Sequence, residues 1–212
     1  MSSQDVPVRV VWSDFGGVLT PPIEHSIEQF CRNQGVGRRE LLAAMAVVSA
    51  RYGVDDPLAP LDIPLVGEDE WLREVSAELG GALRIGSLAD TWFAGRATNL
   101  AWVEVLREIR RRGTGVSLIS NMVPTWDVHW RRMVDADELF DHIMLSFEVG
   151  YRKPAPEMFG LAAQRAGVLP AECVLVDDLA KNCAGAEAAG WRAVHFLDAN
   201  SAADQLHQLL EN

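Results

Sequence analysis

Short apolar segments alternate with helical segments over the second half of the chain, and this alternation restricts the possible folds most strongly. The helical periodicity of apolar residues predicts helices at 100–112, 126–134, 155–166 and 180–189 and a last one near the C-terminus, and the apolar runs between them predict strands at 115–120, 142–146, 173–178 and 193–197. Repeated units of this kind connect parallel strands through right-handed crossovers. The sequence therefore predicts an α/β fold, a Rossmann-like parallel sheet flanked by helices.

An apolar segment near the N-terminus supplies one more strand of this sheet. The residues Val-Val-Trp-Ser run into Asp14, and the pair Gly16-Gly17 follows. We expect a buried strand that delivers Asp14 to a loop at the strand's carboxyl end.

The segment between this strand and the second half of the chain has a different character. Two amphipathic stripes, over 23–31 and 41–48, precede a Pro-rich loop at 56–64 and a third helix near 68–79. We therefore expect two units: a core formed by residues 1–20 and 99–212, and an α-helical cap, residues 21–98, inserted into it.

Composition and charge exclude several classes of function. The chain has 212 residues with 19 basic and 30 acidic ones, a net charge of −11, and its only basic run is at 110–112, which argues against a nucleic-acid partner. It has no apolar segment long enough to span a membrane and no export signal at its start. The three cysteines lack Cys-x-x-Cys spacing, which favours reduced thiols and a cytoplasmic protein over a disulfide.

Polar side chains follow four of the predicted strands or their loops, in the order Asp14, Ser120-Asn121, Lys153 and Asp177-Asp178. Because parallel strands end at one edge of the sheet, these groups should converge there. Asp14 and an acid of the Asp177-Asp178 pair offer hard oxygen ligands for Mg²⁺, and the Gly16 carbonyl can add a third.

The same edge also offers groups for a phosphate. Ser120, Asn121 and the backbone N–H groups that follow Asp14, at Gly16 and Gly17, can donate hydrogen bonds to phosphoryl oxygens. Lys153 adds a positive charge for the phosphate and for the Asp14 carboxylate. A desolvated, neutralised carboxylate at Asp14 is suited to attack on phosphorus.

At these residues the sequence resembles the haloacid dehalogenase superfamily of phosphatases, in the subgroup whose helical cap follows the first motif. Four segments carry the resemblance in order: Asp-Phe-Gly-Gly-Val-Leu at 14–19, Leu-Ile-Ser-Asn at 118–121, Gly-Tyr-Arg-Lys-Pro at 150–154 and Val-Asp-Asp-Leu-Ala-Lys-Asn at 176–182.

The resemblance implies a Mg²⁺-dependent phosphoaspartyl enzyme. It implies Asp14 as nucleophile, Ser120 and Lys153 as groups that stabilise the phosphoryl group, Asp178 as the acid at the metal and Asp177 in support. Asn182 matches a position that contacts substrate in relatives similar to the phosphatase domain of soluble epoxide hydrolases.

The chain departs from the family pattern at Gly16, where relatives carry a second Asp that protonates the leaving alcohol and activates water. Such acid–base work is worth ~10²–10⁴ in rate. Three explanations stay open: a substrate whose leaving group needs little protonation, a replacement such as Glu24, His25 or water, or slow or lost catalysis.

The sequence thus predicts a Mg²⁺-dependent phosphatase for a small phosphorylated metabolite. Two alternatives stay open. One is a 2-haloacid dehalogenase, whose relatives also lack the second Asp but carry an aromatic residue there. The other is a catalytically weak binding or regulatory module. A monomer and a homodimer through the cap helices are both compatible with the sequence, and Trp71 and Trp92 are candidates to line a substrate pocket.

Overall fold

The protein is built around one five-stranded parallel sheet. The computed structural model describes residues 6–83 and 87–211. The strands are β1 (Val10–Ser13), β2 (Gly115–Ser120), β3 (His142–Leu145), β4 (Cys173–Asp177) and β5 (Arg192–His195). Their order is β3-β2-β1-β4-β5, and every neighbouring pair is parallel. The predicted α/β fold with a Rossmann-like parallel sheet is confirmed.

Twelve α-helices and two short 3₁₀ turns, Pro124–Trp126 and Pro170–Glu172, are found in the described parts of the chain. The helices are α1 (Ile23–Gln34), α2 (Arg38–Arg51), α3 (Ala59–Asp62), α4 (Glu68–Glu78), α5 (Leu88–Phe93), α6 (Leu100–Arg111), α7 (Asp127–Trp130), α8 (Ala136–Leu139), α9 (Ser146–Val149), α10 (Pro156–Ala166), α11 (Ala180–Ala188) and α12 (Ala199–Leu210).

Successive strand residues point to opposite sides of the sheet. Because the residues on both sides of β1 are buried, helices cover both faces. On one face, Val11 belongs to a buried cluster that includes Leu106 of α6. On the other face, Val10 and Trp12 belong to a second cluster with Phe159 of α10. β1 is therefore buried on both faces at the centre of the sheet, and its carboxyl end opens between β2 and β4, where ligands bind in folds of this class.

Helices α1 to α5 lie between β1 and β2, and none of the described residues of this segment forms a strand. The two amphipathic stripes are buried in the helical core, and the third predicted helix is present as α4. The predicted Pro-rich loop is partly wrong, because it contains α3, whose Pro60 sits in the first turn, where its missing N–H does no harm. The division at residues 21–98 into core and cap stays a prediction.

The predicted helix at 126–134 is wrong in extent. α7 ends at Trp130, and the following N–H groups of Arg132 and Met133 bond three residues back rather than four. The Thr98 hydroxyl donates to the Met133 carbonyl at 2.9 Å and so satisfies one of the carbonyls in this series of turns. The apolar spacing survives this change, because Trp126, Trp130 and Val134 are all still buried.

Two observations concern the expected membrane spans and cysteines. No helix in the described ranges is both long and apolar enough to cross a membrane. The three cysteines are buried and free, which agrees with the thiols expected from their spacing.

Candidate active site

Asp14 follows β1 directly and is buried, with 7% of its surface exposed. Its N–H donates to the Val176 carbonyl of β4 at 2.9 Å, which fixes the residue between two strand ends. Its Oδ1 lies 2.8 Å from the Lys153 Nζ. Burial raises the pKa of Asp14 to about 6, against the opposing effect of Lys153. The carboxylate is thus stripped of water and still ionised at neutral pH.

Lys153 connects two carboxylates inside the protein. Only 1% of its side chain is exposed, and its Nζ lies 2.8 Å from Asp14 and 2.5 Å from Asp177. Burial lowers the pKa of Lys153, but the two carboxylates outweigh that effect and raise it above its usual value. The ammonium group therefore remains charged where a phosphoryl group would need a cation.

Both carboxylate oxygens of Asp177 have partners within the protein. Besides the ion pair with Lys153, it accepts hydrogen bonds from the Leu179 N–H and the Asn182 Nδ2, each at 2.9 Å. These contacts fit the supporting position predicted for Asp177. The Asn182 Oδ1 is buried without a partner, and Asn182 lines the cavity in front of Asp14, so this oxygen is free to accept a hydrogen bond there.

Asp178 completes a cluster of acids. Carboxylate oxygens of Asp14, Asp177 and Asp178 all lie within 4.8 Å of one another. Burial, and after it the charges of Asp14 and Asp177, raise the pKa of Asp178 to about 7. Lys153 pairs with Asp14 and Asp177, so the charges of the three carboxylates exceed that of the one ammonium beside them. The negative charge that is left, on hard oxygen atoms, fits a divalent cation such as Mg²⁺.

Gly17 and Gly16 differ sharply in the space around them. Gly17 has φ +81°, and a Cβ there would lie 1.9 Å from the Asp178 Oδ2. Gly16 has no such restriction, because the nearest atom to a Cβ is the Arg96 Nη2 at 4.0 Å. Only glycine fits at 17, whereas the position of the absent second Asp has room for a side chain.

Arg96 is a residue that the sequence analysis missed. Its Nη2 donates to the Thr20 hydroxyl and the Pro21 carbonyl, both at 2.7 Å. Burial lowers the pKa of Arg96 to about 10, while Asp14 and Asp178 act in the opposite direction. It lies far from the strand-end motifs in the sequence, so no local signal marked it.

We expect Gly17→Ala to reduce activity strongly, because the methyl group must displace Asp178 while the backbone adopts a left-handed conformation. The backbone effect alone is worth ~1–2 kcal/mol. Gly150→Ala is the matched control, since Gly150 has φ +73° and no atom within 4 Å of a Cβ. Urea unfolding should show the backbone loss for Gly150→Ala and a larger loss for Gly17→Ala, and only Gly17→Ala should also lower activity. Equal losses of stability and activity in the two variants would contradict the close approach.

Ser120 is the last residue of β2, Asn121 follows it, and both line the same cavity as Asp14. The Ser120 side chain is buried, and its hydroxyl has only a long contact, 3.5 Å, with the Asn121 carbonyl. The Asn121 side chain accepts from the Lys153 N–H at 2.8 Å and donates to the Lys153 carbonyl at 3.0 Å. Its amide therefore orients Lys153, and the phosphate contact expected from Asn121 stays a prediction.

A cavity of about 300 Å³ opens in front of these groups and reaches into the helical segment. Four of its charged residues were not expected from the sequence. Arg152 lies 3.1 Å from Asp56 and 3.0 Å from Asp62, and Lys181 lies 3.1 Å from Asp56. Arg152 lies next to Lys153 in the third motif, and this position could have indicated that it belongs to the site. No local pattern indicated Asp56 and Asp62, which lie in the Pro-rich segment.

Two further predictions concern which residues of the helical segment line the cavity. Trp71 and Trp92 are buried among the helices and do not line this cavity, so that prediction is wrong, whereas Trp126 does line it. Glu24 lines the cavity and His25 does not, which leaves Glu24 as the nearer of the two proposed replacements for the missing acid.

The comparisons with known proteins agree with this arrangement. A family model described as haloacid dehalogenase-like hydrolase matches residues 8–190. A phosphoserine phosphatase from Thermus thermophilus is 38% identical over 161 residues, which cover 72% of this chain and 63% of that protein. The matched part thus spans less than two thirds of that curated relative.

Solved structures share the fold at low sequence identity. A HAD family enzyme from Bacteroides thetaiotaomicron, in complex with magnesium and inorganic phosphate, has a TM-score of 0.64 at 21% identity and covers 88% of this chain and 93% of its own. An L-2-haloacid dehalogenase from Xanthobacter autotrophicus has a TM-score of 0.63 at 19% identity and covers 95% and 83%. At these identities the likeness supports the fold and leaves the reaction open.

Proposed function

The chain belongs to the haloacid dehalogenase-like hydrolase family, and from this membership we propose a Mg²⁺-dependent phosphatase that forms a phosphoaspartyl intermediate on Asp14. The observation that carries the proposal is the buried ion pair of Asp14 and Lys153 beside the acidic cluster, at the floor of a cavity. The phosphatase name of the curated relative supports the same class of reaction. The cavity volume of about 300 Å³ favours a small phosphorylated metabolite.

In the proposed reaction, the Asp14 carboxylate attacks phosphorus while Lys153 keeps it oriented and offsets the charge of the phosphoryl oxygens. The Ser120 hydroxyl and the backbone N–H groups at Gly16 and Gly17 donate hydrogen bonds to those oxygens. Donors held in place before the reaction stabilise the charge that develops in the transition state.

We expect Mg²⁺ to be held by Asp14, Asp178 and the Gly16 carbonyl. Asp177 lies next to these groups and orients Lys153 and Asn182. When bound, Mg²⁺ neutralises negative charge on the transferring phosphoryl group. The raised pKa of Asp178 supports this assignment, because a carboxylate that is costly to ionise alone is stabilised by a divalent cation.

The experiment is phosphate release from acetyl phosphate, a small substrate with a good leaving group, with Mg²⁺ and after removal of metal by EDTA. We expect turnover with Mg²⁺, a loss of at least ~10²-fold with EDTA, and recovery when Mg²⁺ is returned. Chloride release from 2-chloropropionate is measured in parallel without metal. Chloride release without phosphatase activity would favour the dehalogenase alternative, and no turnover in either assay would favour the binding module.

Cytoplasmic location, the lack of a nucleic-acid partner and a homodimer through the helical segment stay predictions. Light scattering on the purified protein tests the last of these directly.

A further inference from the structure

The cavity in front of Asp14 is polar at its floor, and its outer wall combines an apolar surface with a group of charged side chains. The floor carries the carboxylates, Ser120 and Lys153 described above. The outer wall is formed by apolar side chains from α1, α2, the loop before α3 and the turn after β2: Ile23, Ile27, Leu42, Met45, Leu58 and Trp126. The organic part of a substrate whose phosphate lies on Asp14 would contact this wall.

Four of the charged residues of the outer wall form ion pairs with one another. Arg152 pairs with Asp56 and Asp62, and Lys181 pairs with Asp56, at distances of 3.0 to 3.1 Å. Among the described residues that line this part of the cavity, Glu24 is the carboxylate outside the network, and it is exposed. Sugar hydroxyls placed against the apolar side chains of the wall would lose hydrogen bonds to water without replacing them, which is unfavourable.

The floor imposes a second requirement, on the leaving oxygen. Gly16 brings no carboxyl group to the point where relatives place an acid. The Nη2 of Arg96 beside it donates to Thr20 and Pro21, and the buried Arg96 Nε has no hydrogen-bond partner among the described residues. The leaving oxygen must therefore depart without a proton from this position. A phenolic hydroxyl has a pKa of about 10, and an aliphatic one is close to water, at about 16, so a phenolate departs far more readily.

Both requirements are met by one class of compound. We propose that the substrate is an aryl phosphate, the phosphate ester of a phenolic hydroxyl on an apolar ring; this inference rests on the proposed phosphatase function. The Asp14 carboxylate forms a bond to phosphorus as the bond from phosphorus to the aryl oxygen breaks. The electron pair leaves with the phenolate, which takes a proton from water. A second water then attacks phosphorus, releases inorganic phosphate and restores the Asp14 carboxylate.

Four probes separate the requirements: acetyl phosphate, phenyl phosphate, benzyl phosphate and glycerol 3-phosphate. Phenyl and benzyl phosphate share a ring but differ in the acidity of the leaving group, and we expect kcat/KM for phenyl phosphate to be at least ~10²-fold higher. Benzyl phosphate and glycerol 3-phosphate both leave as aliphatic alcohols but differ in polarity, and we expect benzyl phosphate to be favoured ~10-fold or more.

Gly16→Asp tests the leaving-group argument, since the structure has room for this side chain. The new carboxyl group should raise kcat/KM for benzyl phosphate at least tenfold more than for phenyl phosphate.

Leu42→Gln tests the wall, since Leu42 is a half-buried lining residue. It should lower kcat/KM for phenyl phosphate ~10-fold more than kcat/KM for acetyl phosphate. Val47→Gln, on the solvent side of the same helix and 47% exposed, is the matched control and should change neither.

The outcomes distinguish this inference from the function on which it rests. Hydrolysis of acetyl phosphate with equal or better turnover of glycerol 3-phosphate than of phenyl phosphate would overturn the aryl class and leave the phosphatase proposal standing. Equal effects of Leu42→Gln on acetyl and phenyl phosphate would overturn the role of the wall. If none of the four probes is hydrolysed, both proposals are wrong.

Discussion

Asp14→Asn is expected to abolish turnover of every phosphate ester, with a loss of at least ~10⁴-fold, because an amide cannot act as the attacking nucleophile. The substitution keeps the size of the side chain and removes a buried charge whose pKa is already raised to about 6. Lys153 keeps its ion pair with Asp177 at 2.5 Å. The fold should therefore survive, and the thermal unfolding midpoint should move by only a few degrees.

The matched control is Asp141→Asn at the opposite end of the sheet. Asp141 accepts a hydrogen bond from the Val116 N–H and pairs with Arg110, remote from the strand ends that carry Asp14. It should leave kcat unchanged. Acid quenching of a reaction with acetyl phosphate, followed by peptide mass analysis, should place one phosphoryl group on the Asp14 peptide of the wild-type protein. A label elsewhere, or residual activity in Asp14→Asn near the wild-type level, would sink the nucleophile assignment.

The strand-end residues could be predicted because their positions follow from local patterns. An apolar run long enough for a strand, a polar residue at its end and a helix after it place Asp14, Ser120 and Asp177 at one sheet edge for any right-handed parallel arrangement. The order of the strands could not be predicted from the sequence. The ends of β1, β2 and β4 nevertheless lie together, because β2 and β4 are the two neighbours of β1, whatever the order of the outer strands.

The other half of the site depends on tertiary contacts that no local pattern records. Arg96 reaches the loop after β1 through Thr20, 76 positions away in the sequence. Asp62 reaches Arg152 in a similar way, from a segment whose prolines predicted a plain loop. Charged residues are common on surfaces, so their burial is known only once the packing is known.

The short α7 shows the same limit for secondary structure. Apolar spacing from Trp126 to Val134 fits a helix and also fits a series of turns that buries the same side chains. Apolar spacing alone does not distinguish the two, because both arrangements bury the same residues.

Lys153→Met should have the largest effect on stability, because it leaves Asp14 and Asp177 buried without their shared cation. Removing one partner of a buried ion pair costs ~3–5 kcal/mol, more than an exposed pair contributes. Urea unfolding at pH 7.5 in EDTA measures this loss. Lys181→Met is the control, since Lys181 is half exposed and pairs with Asp56 at 3.1 Å; its removal should cost about 1 kcal/mol or less.

The pH dependence of the Lys153→Met variant gives a sharper test of the same cause. Without the ammonium, the pKa of Asp14 should rise above its value of about 6, while the unfolded chain keeps the ordinary value of 3.8. The folded variant then binds more protons than the unfolded chain between these values, so its stability falls as the pH rises through that window. The deficit relative to wild type should therefore be smaller at pH 5 than at pH 8. Adding Asp177→Asn to the variant should recover part of the deficit at pH 8, because one unpaired carboxylate is gone. A deficit that is independent of pH and unchanged in the double variant would mean that Lys153 stabilises the fold by packing and not by its charge.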